Sequence, residues 1–186
     1  MPDRFIALAE ETGLILQLGR WVLHETCRIG RQWLDRGHPP LVLAVNVAAA
    51  QLRDSNFALE VLAVLAETGF PARMLELELT ESSLMSGHED VIFQLQHLRK
   101  HDVRVAIDDF GTGYSSLAYL KRFPLDVLKI DRSFVEHIGH RKDDREIVTA
   151  IIQMGHTLGF RVVAEGVETD EQLAYLKEKG CDVFQG

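Results

Sequence analysis

Cysteine is scarce in this chain: there are two in 186 residues, Cys27 and Cys181, in unrelated contexts and with no CxxC pair. That excludes a disulfide scaffold and the usual spacing of a zinc site, and it predicts buried, reduced thiols in a compartment such as the cytoplasm. Positive charge is also in short supply. Twenty Lys and Arg face 28 Asp and Glu, a formal net charge of −8, so the clustered cations that grip a polynucleotide backbone are lacking. A small anionic substrate remains open if metal ions supply the positive charge. No apolar run is long enough to span a bilayer, and no basic start leads into an apolar core with a small-residue cleavage site. Any membrane link is therefore expected outside these residues, with no direct membrane contact. Pro/Ser-rich linkers, low-complexity tracts and composition shifts are missing too. With 46% hydrophobic residues, one domain over 1–186 with a sizeable core is the expectation.

What the chain does have is IDDFGTGYSSL, Ile107 to Leu117. Asp108 and Asp109 close a short apolar run, Val103 to Ile107, and open into a turn at Gly111 and Gly113. Two acids at the mouth of a buried strand are costly unless a cation or donors sit opposite them.

Around that stretch, strand and helix patterns alternate. Pro2 to Glu11 reads as a short helix with Phe5, Ile6, Leu8 and Ala9 on its apolar side, and Leu14 to Asp35 as a longer one. LVLAVNV (Leu41 to Val47) predicts a strand covered on both faces, broken only by Asn46. After a helix from Phe57 to Glu67, MLELELT (Met74 to Thr80) predicts a strand with Glu78 near its end. A helix from Glu89 to Lys100 leads to VRVAID, which delivers Asp108. A short helix from about Ser115 to Lys121 feeds DVLKID, a strand carrying Lys129 and Asp131. A helix from about Asp144 to Leu158 precedes FRVVAEG, which ends near Glu165. Thr169 and Gln172 form a capping box for a helix through Lys179, and CDVFQG closes with Gln185. Trp21, Trp33 and the phenylalanines have core spacing.

Strict alternation implies a parallel sheet with helices outside it, either doubly wound or a (β/α)8 barrel. Asn46, Glu78, Asp108, Lys129, Glu165 and Gln185 each fall near the C-terminal end of a different strand. A barrel gathers those ends into a ring, whereas an open sheet spreads them in a row. The expected fold is therefore α/β, a TIM-like (β/α)8 barrel with about six of its eight strands present, because a whole one takes ~250 residues.

Asn46, Glu78, Asp108 and Asp109 are hard oxygen donors that suit Mg2+ or Mn2+ rather than zinc. Adjacent aspartates can serve two ions roughly 4 Å apart, as in phosphoester displacement. Lys129 could orient the attacking water, take a proton or offset phosphate charge, and Glu165 could bind metal or water. Taken singly, an acid at a strand end is usually a loop cap or an ion-pair partner; six polar strand ends in succession favour a site. The same residues also suit proton abstraction next to a carbonyl, with Lys129 as base. GTG is half of a phosphate loop and reads rather as a hinge. His97 and His101, four apart, could share a metal, but beside Arg99 and Lys100 at a helix end they read as solvated cap residues.

The segments FIALAEETGLI, LAVNVAAAQL, LELELTES, IDDFGTGYSSLAYLKRFPLDVLKIDRSFV, VVAEGVET and QG resemble the EAL domain family, bacterial phosphodiesterases of cyclic di-GMP signalling, from end to end of the chain. The resemblance implies hydrolysis of cyclic di-GMP to linear pGpG with two Mg2+ or Mn2+ ions and inhibition by Ca2+. By position, Asn46, Glu78, Asp108 and Asp109 match metal ligands, Lys129 the residue that positions the water, and Glu165 a further metal or water ligand. Glu168, Gln185 and Asp131 match supporting or substrate positions. Glu81 matches the glutamate that holds the loop containing Gly111 and Gly113, which in the family couples a homodimer interface to the metals. Upstream sensor or GGDEF domains in a longer parent are implied as partners. The Glu-Ala-Leu segment and its metal-binding glutamate would lie before Met1, a closing helix would lie beyond Gly186, and Ala48 replaces a usual serine. A truncated domain with little hydrolysis of its own is thus the expectation. The alternative is an inactive EAL fragment that binds cyclic di-GMP or a protein partner.

Overall fold

The structure is a computed structural model that describes residues 2–85, 89–112, 120–139 and 142–186. Its contacts divide the chain into two compact units, Met1–Leu79 with Ser83–Val105, and Thr80–Ser82 with Ala106–Gly186. Six strands alternate with helices, and each strand pairing given below is parallel. This is the expected α/β class, with six of the eight strands of a (β/α)8 barrel.

The first unit carries α1 (Pro2–Glu11), α2 (Ile15–Asp35), β1 (Leu43–Asn46), α3 (Ala49–Leu52) and α4 (Phe57–Thr68). A 3-10 turn (Ala72–Met74) then leads into β2 (Leu75–Thr80), α5 (Glu81–Met85) and α6 (Glu89–Lys100); Thr80 to Ser82 fall to the second unit. Helix α2 buries Ile15, Gly19, Leu23, Cys27 and Gly30, a stripe with steps of four and three residues that faces its unit's core. At Gly30 a Cβ would come within 2.6 Å of the Phe70 ring and 2.7 Å of Leu43, so only glycine lets the helix approach this closely. The Cys27 thiol is fully buried and pushed up to about 11 by desolvation, and burial raises Cys181 too; both are free thiols, as expected. Gln94 of α6 is buried because it is satisfied: its Oε1 accepts the Ala58 N–H at 3.1 Å and its Nε2 donates to the Leu52 carbonyl at 3.2 Å. In β2 the alternation LELEL puts Leu75, Leu77 and Leu79 in the core at 0% exposure, with Glu76 and Glu78 on the other face.

Two expectations fail in this unit. Trp21 and Trp33 are 63% and 42% exposed, and Phe5 and Phe93 are exposed as well. Helical period marks a common face but not whether anything covers it. Nor is LVLAVNV covered on both faces, since Leu41, Val42, Ala44 and Asn46 are exposed. Within the unit β1 pairs only with β2 among the described residues, so its other edge carries no strand to hide it.

The second unit contains β3 (Arg104–Phe110, whose first two residues belong to the first unit), β4 (Val127–Ile130), α7 (Arg132–Val135), α8 (Lys142–Thr157), β5 (Arg161–Glu165), α9 (Asp170–Glu178) and β6 (Val183–Gln185). β3, β4, β5 and β6 pair in that order. The expected helix at Ser115 to Lys121 lies almost wholly outside the described residues. The capping box of α9 is present: Thr169 Oγ1 accepts the Gln172 N–H at 3.2 Å, and Gln172 Oε1 accepts the Thr169 N–H at 2.9 Å.

Asp182, just before β6, accepts from the Val162 N–H at 2.8 Å and lies 2.9 Å from His156 Nε2. Burial works to raise its carboxyl, but these two bonds, together with the nearby charges of His156 and Arg161, outweigh it and hold the group below the ordinary aspartate range. A depressed folded value gives stability above the unfolded pKa that is lost as pH falls through the folded one. Thermal melting of Asp182→Asn should therefore run a few degrees below the parent at pH 7, and the gap should close below about pH 4.

Candidate active site

The register of the second unit builds its site in two layers. Ala106 pairs with Val127, Val127 with Arg161, and Val163 with Val183. Ala106, Val127 and Val163 form a buried cluster with Val183 packed against it. Two residues further along each strand, on the same face, come Asp108, Lys129, Glu165 and Gln185. An apolar floor thus lies beneath a polar row. The signal was in the sequence: each polar residue of the row is preceded at i−2 by Ala or Val.

Lys129 is the middle of the row. β4 is buried along its whole length, and Lys129 is only 5% exposed. Its Nζ lies 2.6 Å from Glu165 Oε1 and 3.2 Å from Asp108 Oδ1. A buried ammonium needs such partners, since the desolvation of each charge has to be offset by the others. Removing any one leaves a charge without its balance.

Between Ile107 and Phe110 the β3–β4 register slips by one residue: Ile107 faces Leu128 while Phe110 faces Ile130. Asp108 and Asp109 therefore share one partner position, that of Lys129, as in a β-bulge. Asp109 takes the left-handed conformation, φ 53°, which aspartate tolerates better than most residues. The bulge is what sets both carboxylates at the strand mouth.

Gly111 follows the bulge at φ +100°, and a Cβ there would come within 2.8 Å of the Phe134 ring. Its N–H donates to Glu81 Oε2 at 3.0 Å. Glu81 is 2% exposed, and its other oxygen has no hydrogen-bond partner among the described residues. The part played by Phe134 was not foreseen, because contact across the fold leaves no local sequence signal. Gly113 lies outside the described residues.

Asp131 is placed differently: its Oδ1 accepts the Ser133 N–H at 3.0 Å and caps α7. Glu168 is exposed, with its backbone N–H bonded to Gln172 Oε1 at 2.8 Å. Gln185, also exposed, pairs with Glu165. In the first unit Asn46 pairs with Glu78 at the ends of β1 and β2, and the Val47 N–H donates to the Glu78 carbonyl at 2.9 Å. Glu78 is 9% exposed, whereas Asn46 is open to solvent.

The donor set fits a hard divalent cation in kind. It is all oxygen, and in the second unit Asp108 and Glu165 are held around a positive charge, that of Lys129. Among the described residues no three His, Cys, Asp or Glu already converge as a metal cluster. A groove of about 580 Å3 in the first unit is lined by Leu16, Trp21, His24, Phe57 and Glu60 among others, and by none of these candidate residues. No helix among the described residues is long and apolar enough to cross a membrane.

A family model described as EAL domain matches residues 1–186. The chain is 50% identical over 185 residues to cyclic di-GMP phosphodiesterase NbdA of Pseudomonas aeruginosa, covering 100% of this chain and 24% of that protein. It is 46% identical over 185 residues to the bifunctional diguanylate cyclase/cyclic di-GMP phosphodiesterase MucR of the same organism, covering 100% of this chain and 27% of that one. It thus spans about a quarter of the length of these curated relatives. Among solved structures, the PaMucR phosphodiesterase in complex with c-di-GMP matches with a TM-score of 0.94 at 46% identity, covering 100% of this chain and 75% of that chain. The EAL domain of Mycobacterium smegmatis DcpA matches with a TM-score of 0.86 at 42% identity, covering 91% and 76%.

Proposed function

The chain belongs to the EAL domain family, and on that premise we propose that it is a cyclic di-GMP phosphodiesterase domain that opens one phosphodiester to give linear pGpG. The observation that carries the reading is the buried Lys129 ammonium held by Asp108 and Glu165 at the ends of neighbouring parallel strands. A fixed, desolvated cation of this kind is suited to positioning a water and to countering the charge that develops on phosphate.

Asn46, Glu78, Asp108 and Asp109 would hold two Mg2+ or Mn2+ ions, which when bound supply positive charge to the attacking and leaving oxygens. Lys129 orients the nucleophilic water. Glu165 and Asp108 keep its Nζ in place, and Glu165 also shares the water or the metal. Glu168, Gln185 and Asp131 support substrate and strand ends. Glu81 anchors the turn at Gly111, and through Gly113 the loop couples to a homodimer partner. The domain works in the cytoplasm beside sensor or GGDEF domains of a longer protein, a context that the two-activity name of MucR supports.

The test is to incubate cyclic di-GMP with this chain, and with any longer protein that carries it, in Mg2+, Mn2+, Ca2+ or chelator, and to resolve products by ion-exchange chromatography. Stoichiometric pGpG from the longer protein in Mg2+ or Mn2+, none in Ca2+ or chelator, and little from this chain by itself is the expected result. Binding without turnover in every metal would replace hydrolysis by a nucleotide-binding role. Absence of both binding and turnover would overturn the reading.

A further inference from the structure

Two histidines of the first unit, His97 and His101, have a ring separation that a shared ion of a different kind would require. His97 lies in the last turn of α6 and His101 just past its end, with ring centroids 4.8 Å apart and planes tilted by 56°. His101 Nδ1 lies 2.9 Å from the His97 carbonyl oxygen. A carbonyl can only accept, so Nδ1 carries a proton, and in the neutral tautomer this leaves the Nε2 lone pair for an ion. Metal-ligating histidines are commonly held in this way, with the second ring nitrogen donating to a backbone carbonyl.

The spacing agrees. Two imidazole nitrogens about 2.0–2.1 Å from one ion, at angles of about 90–109°, put their ring centroids about 4.5–5.2 Å apart. His101 is exposed and His97 half-buried, so an ion can reach them from solvent. The carbonyl end of a helix also favours positive charge. Lys100 is three residues from His97 and opposes it, which points to a modest affinity.

We propose that His97 and His101 chelate one borderline divalent ion, Ni2+, Cu2+ or Zn2+, with water completing its shell. Imidazole donors select such ions over the hard Mg2+ and Mn2+ that oxygen ligands prefer. The ion clips one helical turn just ahead of the reversal at Asp102, φ 65°, where the Val103 N–H donates to the Leu98 carbonyl at 3.2 Å. Because it needs that turn to be helical, binding stabilises it.

The test is calorimetric titration of the whole chain with NiCl2 or ZnCl2, for the parent, His97→Gln, His101→Gln and the double variant. The chain has eight histidines, so the variants assign the site. The expected result is one ion bound by the parent, at least tenfold weaker binding in either single variant, and metal-free melting unchanged. Paramagnetic Ni2+ should broaden the amide signals around 97–103 in the parent, a readout that depends on no variant. Equal binding by the double variant, or broadening centred elsewhere, would overturn the proposal.

Discussion

Lys129→Ala should lower kcat for cyclic di-GMP hydrolysis by about 10²–10⁴-fold, the range that a positioned proton-transfer or charge-stabilising group supplies. The loss should fall on kcat and kcat/KM alike, because on the proposed function the lysine acts on the water and the developing charge rather than on the resting substrate. Binding measured in Ca2+, which the family reading gives as inhibitory, should stay within about threefold, less than 1 kcal/mol. Alanine also leaves the Asp108 and Glu165 side chains, 14% and 18% exposed, without their shared ammonium. Breaking a buried pair in this way costs about 3–5 kcal/mol, so the metal-free variant should melt well below the parent. Lys129→Arg separates the two effects. It keeps the charge, and much of the stability, but the planar guanidinium cannot reproduce a point donor at Nζ or accept a proton at neutral pH. Melting largely restored with turnover still lost would assign the lysine to chemistry; turnover restored by arginine would reduce it to a structural counter-ion.

For Gly111→Ala the expected loss is about 2–4 kcal/mol of stability, combining a rarely populated backbone conformation with forced repacking. The methyl would sit 2.8 Å from Phe134 Cε2, 3.1 Å from its Cζ and 3.6 Å from Ile151 Cδ1. Phe134 is half-buried, and its ring would have to swing aside to admit the methyl. Activity should fall about 100-fold as well, since a shift of order 1 Å at the bulge misplaces Asp108 and Asp109. The double variant Gly111→Ala/Phe134→Ala isolates the two causes: it relieves the clash, and what remains is the cost of φ +100°. Melting and turnover both unchanged in the single variant would show that the turn is not held as described.

Much of this was legible beforehand, for reasons that can be assigned to residues. VLKI is a wholly apolar strand broken by one lysine, and LELEL alternates without exception, so β4 and β2 declare both their type and their polar ends. Asp108, Lys129 and Glu165, chosen as polar strand ends, do come together. The bulge did not show, because register belongs to a pair of strands and not to one. The four- and five-residue helices α3, α5 and α7 were missed because they are too short to carry a period. The exposure of Trp21, Trp33 and Asn46 was missed for a different reason: a sequence pattern marks a face and is silent on what covers it. Nor did an even composition betray the two compact units, which one family model spans throughout.

The apolar floor of Ala106, Val127, Val163 and Val183 has a consequence for the sequence of events at the site. Above it stand two carboxylates, Asp108 and Glu165, against the one Lys129 ammonium. A low-polarisability base turns the field of that surplus outward, toward the strand ends. A doubly anionic dinucleotide arriving first meets repulsion, whereas a divalent cation is drawn in and reverses the sign for whatever follows. On the proposed function, metal is therefore expected to bind before nucleotide, a bias that comes from four small side chains beneath the charged row.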